Sequence, residues 1–189
     1  MIIHQIFIPV NNSKLTDRDI FVKSSKTWQK FCIQHNYQYI LWDEDKVNEL
    51  LQSENYPTSF RFIWNKIDFC RYVILNKYGG LYTDLDILPK EGLSHFLNKP
   101  TLICAWQNAN YSKYYCCNGF IKFEKNKLKS LIDYSLQQYE EKSKMPIYNK
   151  WVKRFILQTT GNRMFCRWCK NNNITYTPDL HKYVENFNS

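Results

Sequence analysis

The segment that most restricts this chain is residues 59–86, where one long helical pattern stops on two glycines and runs at once into paired aspartates. Ile63, Ile67, Cys70 and Ile74 recur at spacings of four, three and four, an apolar stripe of helical period. Gly79-Gly80 ends that pattern as a glycine cap does. Leu81-Tyr82-Thr83 then reads as a short strand feeding Asp84-Leu85-Asp86. A helix from about Ser59 to Tyr78, closed by a tight turn onto a strand, is the αβ half of an α/β unit. The chain around it must therefore supply a sheet for that strand to join.

The remaining pattern supplies one. Ile2–Ile8 is an apolar run expected as a buried first strand, followed by a loop over Pro9, Asn11, Asn12 and Ser13. A helix is expected from an N-cap at Thr16 to about His35, with Ile20, Trp28, Phe31 and Cys32 inward. Further strands are expected at Tyr37–Trp42, Thr101–Trp106, Cys117–Phe123 and Ile174–Thr177. Further helices are expected at about Asp45–Gln52, Asn126–Glu141, Tyr148–Leu157 and Gly161–Lys170. Strands alternating with helices predict an α/β fold, a mostly parallel central sheet flanked by helices. The 189 residues suit one domain, 1–189.

Ligands of such sheets bind beyond the carboxyl ends of the strands, where Asp84 and Asp86 stand. On an extended chain their side chains would point the same way. Two carboxylates so close repel unless a cation lies between them. Their hard oxygens suit Mg2+ or Mn2+, which bridge carboxylates to substrate phosphates. A solvated acidic turn is the plain alternative. On the preceding helix Asp68 and Arg71 stand one turn apart, bordering the apolar stripe. They form either an ion pair locking helix to sheet or two polar contacts aimed at a hydroxylated ligand.

Composition narrows the partners. The net charge of +9 favours phosphorylated ligands or other polyanions. Its basic residues are dispersed, the densest cluster being Lys122, Lys125, Lys127 and Lys129, which is expected at a strand end and helix start. Nucleic-acid binding is therefore not expected. Seven cysteines cannot all pair, and reduced thiols are expected. A zinc site from Cys116, Cys117, Cys166 and Cys169 is a lesser alternative, because adjacent cysteines suit one tetrahedral ion poorly. No run approaches the ~20 apolar residues of a membrane span, and the N-terminus does not read as a signal peptide. A cytoplasmic protein is expected, with peripheral membrane contact left open.

The run from Asp68 through Arg71, Gly79-Gly80 and Tyr82 to Asp84 and Asp86 resembles the sugar-binding region, with its DXD motif, of a glycosyltransferase family. That family includes initiating mannosyltransferases, capsular sugar transferases and clostridial glucosylating toxins. The frame D-x-x-R-x(7)-G-G-x-Y-x-D-x-D is present without a gap. His4-Gln5-Ile6-Phe7 resembles the family's I-H-Q-I-W first strand, with Phe7 at the usual Trp. Asn118-Gly119-Phe120 resembles its N-x-hydrophobic strand. Thr160-Gly161-Asn162 resembles its T-G-P, with Asn162 for Pro. A C-terminal H-H-x-x-x-S-W pattern has no counterpart here.

The resemblance implies a GT-A fold and a metal-dependent enzyme. It would move a hexose from a nucleotide-sugar, UDP-linked before GDP-linked, to a glycan or other hydroxyl acceptor, with retention of configuration. It implies that Asp86 ligates the metal and that Asp84 holds the metal's waters or the sugar and ribose hydroxyls. Asp68 and Arg71 would contact the donor sugar, Tyr82 would lie beside the nucleotide, and Phe7, Ile8 and Pro9 would border the base. Asn118 joins the donor-binding set. His181 is a candidate for a further contact with metal or diphosphate, its alternative being a solvated tail histidine. Residues 106–115 are the candidate acceptor loop. Two other readings stay open: a nucleotide-sugar-binding module without turnover, and a metal-dependent phosphohydrolase or nucleotidyltransferase.

Overall fold

The computed structural model describes residues 1–10, 13–107, 114–144, 146 and 151–186. Five strands form the central sheet: β1 (Ile2–Ile6), β2 (Gln38–Trp42), β3 (Gly80–Thr83), β5 (Leu102–Gln107) and β6 (Tyr114–Phe123), in the order β2-β1-β3-β6-β5. β1 pairs parallel with both β2 and β3, while β6 runs antiparallel to its neighbours β3 and β5. Four strands thus point one way and β6 alone is reversed, a mostly parallel sheet. Two strands outside it, β4 (Ile87–Pro89) and β7 (Val184–Asn186), pair antiparallel in a small second sheet.

Helices cover both faces. α1 (Asp19–Gln34) packs on one face, where Ile3, Trp28, Phe31, Leu81, Leu102 and Phe120 form a core. α2 (Glu44–Ser53), α3 (Ile63–Tyr78), α4 (Lys129–Ser143), α5 (Val152–Thr159) and α6 (Asn162–Asn171) complete the helices. The second core, with Val47, Phe69, Tyr72, Ile74, Tyr82, Ile121 and Phe165, lies between the other sheet face and this group. Leu81 and Tyr82, adjacent on β3, serve opposite cores, as period-two alternation requires.

Several boundaries differ from the sequence reading. β1 ends at Ile6 rather than Ile8. Thr16 is not an N-cap: it lies within a 3-10 turn, Leu15–Asp17, closed by the Lys14 N–H donating to Asp17 Oδ2 (2.5 Å). Ile20 is half-buried, whereas Trp28, Phe31 and Cys32 are buried. α3 starts at Ile63 because Phe62 is extended (φ −132°, ψ 142°). Residues 174–177 form no strand. Thr177 instead ties to Ile103 through its own N–H (2.9 Å) and through its hydroxyl, which accepts from Ile103 N (3.3 Å). The expected helix from Tyr148 begins at Val152, with 147–150 outside the described residues. The inner part of the candidate acceptor loop, 108–113, also lies outside them, and its ends belong to β5 and β6.

The helix-to-strand turn is where local conformation is most tightly specified. Gly79 (φ 66°) and Gly80 (φ 99°) both occupy the left-handed half of backbone space, which costs glycine little. A Cβ on Gly80 would stand 2.3 Å from Ile2 O, so β3 can lie beside β1 only if this residue has no side chain. The first strand secures the turn from the other side. His4 is fully buried, and Trp42 Nε1 donates to its Nδ1 (3.2 Å). Its Nε2 must then carry the proton, and it donates to Gly79 O (2.9 Å). Burial lowers the His4 pKa to about 4, which keeps the ring neutral in this role.

Candidate active site

β3 ends at Thr83, and the two aspartates follow in a tight turn rather than on an extended strand. Ile87 N–H donates to Asp84 O (3.2 Å), closing a four-residue turn over 84–87. The expected strand alternation therefore does not align the carboxylates; the turn does, and both line one cavity. Gln5 secures this turn as His4 secures the glycines. Its Nε2 donates to Asp84 O (3.2 Å) and Ser24 Oγ (3.1 Å), and Tyr39 OH donates to its Oε1 (2.8 Å). Ser24 Oγ and Trp28 Nε1 both donate to Ile87 O (2.9 Å each), binding the turn's far end to α1. The paired His4-Gln5 thus holds both ends of the short strand that carries the aspartates.

The cavity encloses about 320 Å³, near the small end of ligand pockets. The segment after β1 and the start of α1 give it Phe7, Ile8, Arg18 and Phe21; α3 gives Trp64, Ile67 and Arg71; the β3 end gives Tyr82, Asp84 and Asp86. Trp64 and Arg71 share a helix face at spacing seven, with Ile67 between them. Trp64 is 55% exposed, an indole open to solvent at the cavity. Pro9 is exposed and does not line it, and neither does His181, which sits in a 3-10 turn at Leu180–Tyr183.

Arg71 is the electrostatic centre. It is buried; its Nη2 pairs with Asp68 Oδ1 (2.8 Å) and its Nη1 with Asp84 Oδ1 (3.3 Å). Nη1 also donates to Asn118 O (2.9 Å), and the guanidinium carbon lies 4.6 Å from the centre of the Tyr82 ring. Burial alone would pull the Arg71 pKa down, but Asp84, Tyr82 and Asp68 outweigh it and hold it well above the usual value. Its Nε is buried with no hydrogen-bond partner among the described residues. A buried donor left unmet costs about 1–3 kcal/mol, and this one belongs to a residue lining the cavity.

Asp68 stands behind Arg71 rather than in the cavity wall. Burial pushes its pKa up to about 6 against the pull of Arg71. Asn118 Nδ2 donates to its Oδ1 (3.0 Å) and Thr160 Oγ1 to its Oδ2 (3.5 Å). Asn118 Nδ2 also reaches Tyr72 OH (3.0 Å), whose proton goes to Thr160 O (2.8 Å). Asn118 was expected beside the donor; it is buried and serves this inner network, its own N–H donating to Asn162 Oδ1 (2.7 Å). A Cβ on Gly161 would lie 3.1 Å from Asp68 Oδ2, so the Thr160-Gly161-Asn162 run wraps the carboxylate closely.

Sequence reasoning missed Tyr72, Arg18, Phe21 and Trp64 as parts of this site, while Gln5, Gly119 and Thr160 stood within recognised motifs but were given no role in it. Only spacing could have found one of them, since Trp64 and Arg71 fall on one helix face. The rest depend on long-range pairing, invisible along the chain. The donor set fits a hard divalent cation. Asp84 Oδ1 is engaged by Arg71 and by Tyr82 OH (2.8 Å), and Asp84 and Asp86, which both line the cavity, are the carboxylates that could hold the ion. Among the described residues no three His, Cys, Asp or Glu side chains converge as a metal-ion site. Two carboxylates would thus leave most positions to phosphate oxygens and water, the usual Mg2+ arrangement with nucleotides.

Comparison with known proteins follows the same line. Residues 19–116 match a family described as "Glycosyltransferase sugar-binding region containing DXD motif". An uncharacterized glycosyltransferase of Acanthamoeba polyphaga mimivirus is 28% identical over 128 residues, 64% of this chain and 48% of that protein. Inositol phosphoceramide mannosyltransferase 1 of Schizosaccharomyces pombe is 38% identical over 76 residues, 37% of this chain and 24% of that protein. The chain thus spans less than half the length of these relatives. Among solved structures, "PaToxG Glycosyltransferase" superposes with a TM-score of 0.57 at 17% identity, over 90% of this chain and 68% of that one. That likeness concerns the fold, which is of GT-A type.

Proposed function

Because this chain belongs to the family of glycosyltransferases whose sugar-binding region contains a DXD motif, we propose that it transfers a hexose from a nucleotide-sugar to a hydroxyl acceptor in a metal-dependent reaction. The observation that carries this reading is the Arg71 guanidinium. It is buried among Asp68, Asp84 and Asn118, and it keeps one donor unmet in a residue that lines the same cavity as Asp84 and Asp86. Arg71 and Arg18 line the cavity together with Asp84 and Asp86, so a divalent cation on the aspartates would make the site one for oxygen-rich, anionic groups.

When the bond from the anomeric carbon to the diphosphate lengthens, negative charge grows on the leaving phosphate. A divalent ion held by Asp86, with Asp84 beside it, would supply the positive charge that offsets this growth. Arg71 would place its positive charge beside the donor's oxygens, and its ion pairs with Asp68 and Asp84 keep that charge preorganised. Asp68 acts through Arg71: the buried carboxylate fixes the guanidinium plane and is itself fixed by Asn118 and Thr160. Tyr82 holds Asp84 through its hydroxyl and backs Arg71 with its ring. Phe7, Ile8 and Phe21 form an apolar wall suited to the nucleoside, and Trp64 offers an open aromatic face to the acceptor.

Mannose is the first hexose to try, since the fission-yeast relative is a mannosyltransferase by name, and an inositol phosphoceramide belongs among the acceptors. The test is a panel of UDP-, GDP- and dTDP-sugars with Mn2+ or with chelator, scored by nucleoside diphosphate release. Metal-dependent turnover of one donor identifies both sugar and base. Binding without turnover across all donors and acceptors would return the binding-module reading. Hydrolysis of phosphate esters with no use of any sugar nucleotide would favour a phosphohydrolase.

A further inference from the structure

Away from the cavity, three thiols meet between β6 and α6. Cys166 and Cys169 are three residues apart on α6, about one turn, and so share a face; Cys116 stands opposite on β6. Cys166 Sγ donates to Cys116 O (3.3 Å), and Cys169 belongs to the buried core against which Cys116 packs. Cys117, next along the strand, faces the other way into the α1-side core with Cys104. The cluster therefore has three sulfurs, and the four-cysteine zinc arrangement does not form. None of the three is in a disulfide, and Cys116 and Cys166 are half-buried whereas Cys169 is 1% exposed. The neighbouring thiols of Cys166 and Cys169 hold Cys116 well below the usual thiol range, while Cys116 and burial push Cys166 and Cys169 up.

We propose that Cys116 and Cys166 form a reversible thiol–disulfide site that exchanges with small organic disulfides such as oxidised glutathione, with Cys169 as the buried positioning thiol. The Cys116 thiolate attacks one sulfur of R–S–S–R; that bond breaks, R–S⁻ leaves with the electron pair and takes a proton, and a mixed disulfide forms. Cys166, its proton released to solvent, then attacks the Cys116 sulfur and expels the second R–S⁻, which is protonated in turn. Two cysteine thiols are oxidised and one small disulfide is reduced to two thiols. The new bond would join β6 to α6 near Asn118 and Asn162, the residues that meet behind Asp68. This inference stands apart from the transferase reading, because its readout is thiol chemistry.

The experiment uses the fully reduced chain. Alkylation rates of each cysteine are followed by peptide mass spectrometry between pH 6 and 9, and the chain is then equilibrated with stepped ratios of reduced to oxidised glutathione. Cys116 is expected to react first and to keep its rate at pH 6, where an ordinary thiol slows about tenfold per pH unit below its pKa. Equilibration should yield one Cys116–Cys166 crosslink per chain, reversed by dithiothreitol. Cys166→Ser should stop at a glutathione adduct on Cys116, and Cys169→Ser should restore an ordinary pH dependence at Cys116. A Cys116 with ordinary reactivity, a crosslink to Cys169 or within 166–169, or stoichiometric zinc or copper released on alkylation would each overturn the assignment. Because the alkylation profile is measured on the unaltered chain, misfolding of a serine variant does not remove the test.

Discussion

Gly119 faces Asp84 so closely that a Cβ on it would stand 2.2 Å from the Asp84 Oδ2. Asp84 N–H also donates to Gly119 O (2.8 Å), so backbone and carboxylate of one residue are both set by the other. The glycine is required here for space.

Gly119→Ala should therefore act on the reaction more than on folding. Overpacking costs about 1–3 kcal/mol, which a thermal melt would register as a modest loss. Moving the Asp84 carboxylate by about 1 Å should lower turnover on the order of 100-fold. A variant that melts lower but turns over donor normally would show that Asp84 tolerates displacement.

Arg71→Ala should be severe on both counts. It leaves Asp68 buried without its cation, a loss of about 3–5 kcal/mol. Arg71→Lys retains a charge but not the planar fork that spans Asp68, Asp84 and Asn118 O. The lysine variant should recover part of the stability, measured by denaturant unfolding, while remaining poor in donor use. Equal recovery of stability and turnover would reduce Arg71 to a structural charge.

His4 gives a pH prediction. Its folded pKa is lowered from 6.5 to about 4 by burial, so the unfolded chain binds the proton more readily. Its contribution is present in full above pH 6.5 and is lost as pH falls toward 4, about 3 kcal/mol at most. Asp68 runs the opposite way. Its pKa is raised from 3.8 to about 6, so the native state holds that proton more tightly and stability falls as pH rises across this interval. Comparing the chain with His4→Gln isolates the first effect: the stability gap between them should narrow as pH drops from 7 to 4. A constant gap would mean that His4 does not titrate against folding.

The frame from Asp68 to Asp86 was legible because its parts are local: helical period, glycine stop and paired carboxylates all lie within one stretch. Trp28, Phe31 and Cys32 were legible as core for the same reason. What spacing could not show was why His4 and Gln5 matter, since their partners Gly79 and Asp84 lie 75 and 79 residues away. Asn118 was expected at the ligand because its motif was visible and its burial was not. The small β4–β7 sheet was missed because neither three-residue strand carries a period. The carboxylates converge through a turn, which period-two reasoning could not supply.

The most direct measurement is nucleoside diphosphate release from the preferred sugar nucleotide in Mn2+, with the chain and Asp86→Ala compared at matched thermal stability. The metal's contribution to charge stabilisation is several kcal/mol. Turnover by the unaltered chain should cease with chelator, and Asp86→Ala should lose on the order of 100-fold or more at an unchanged melting temperature. Undiminished release by Asp86→Ala, or release that persists in chelator, would contradict the account.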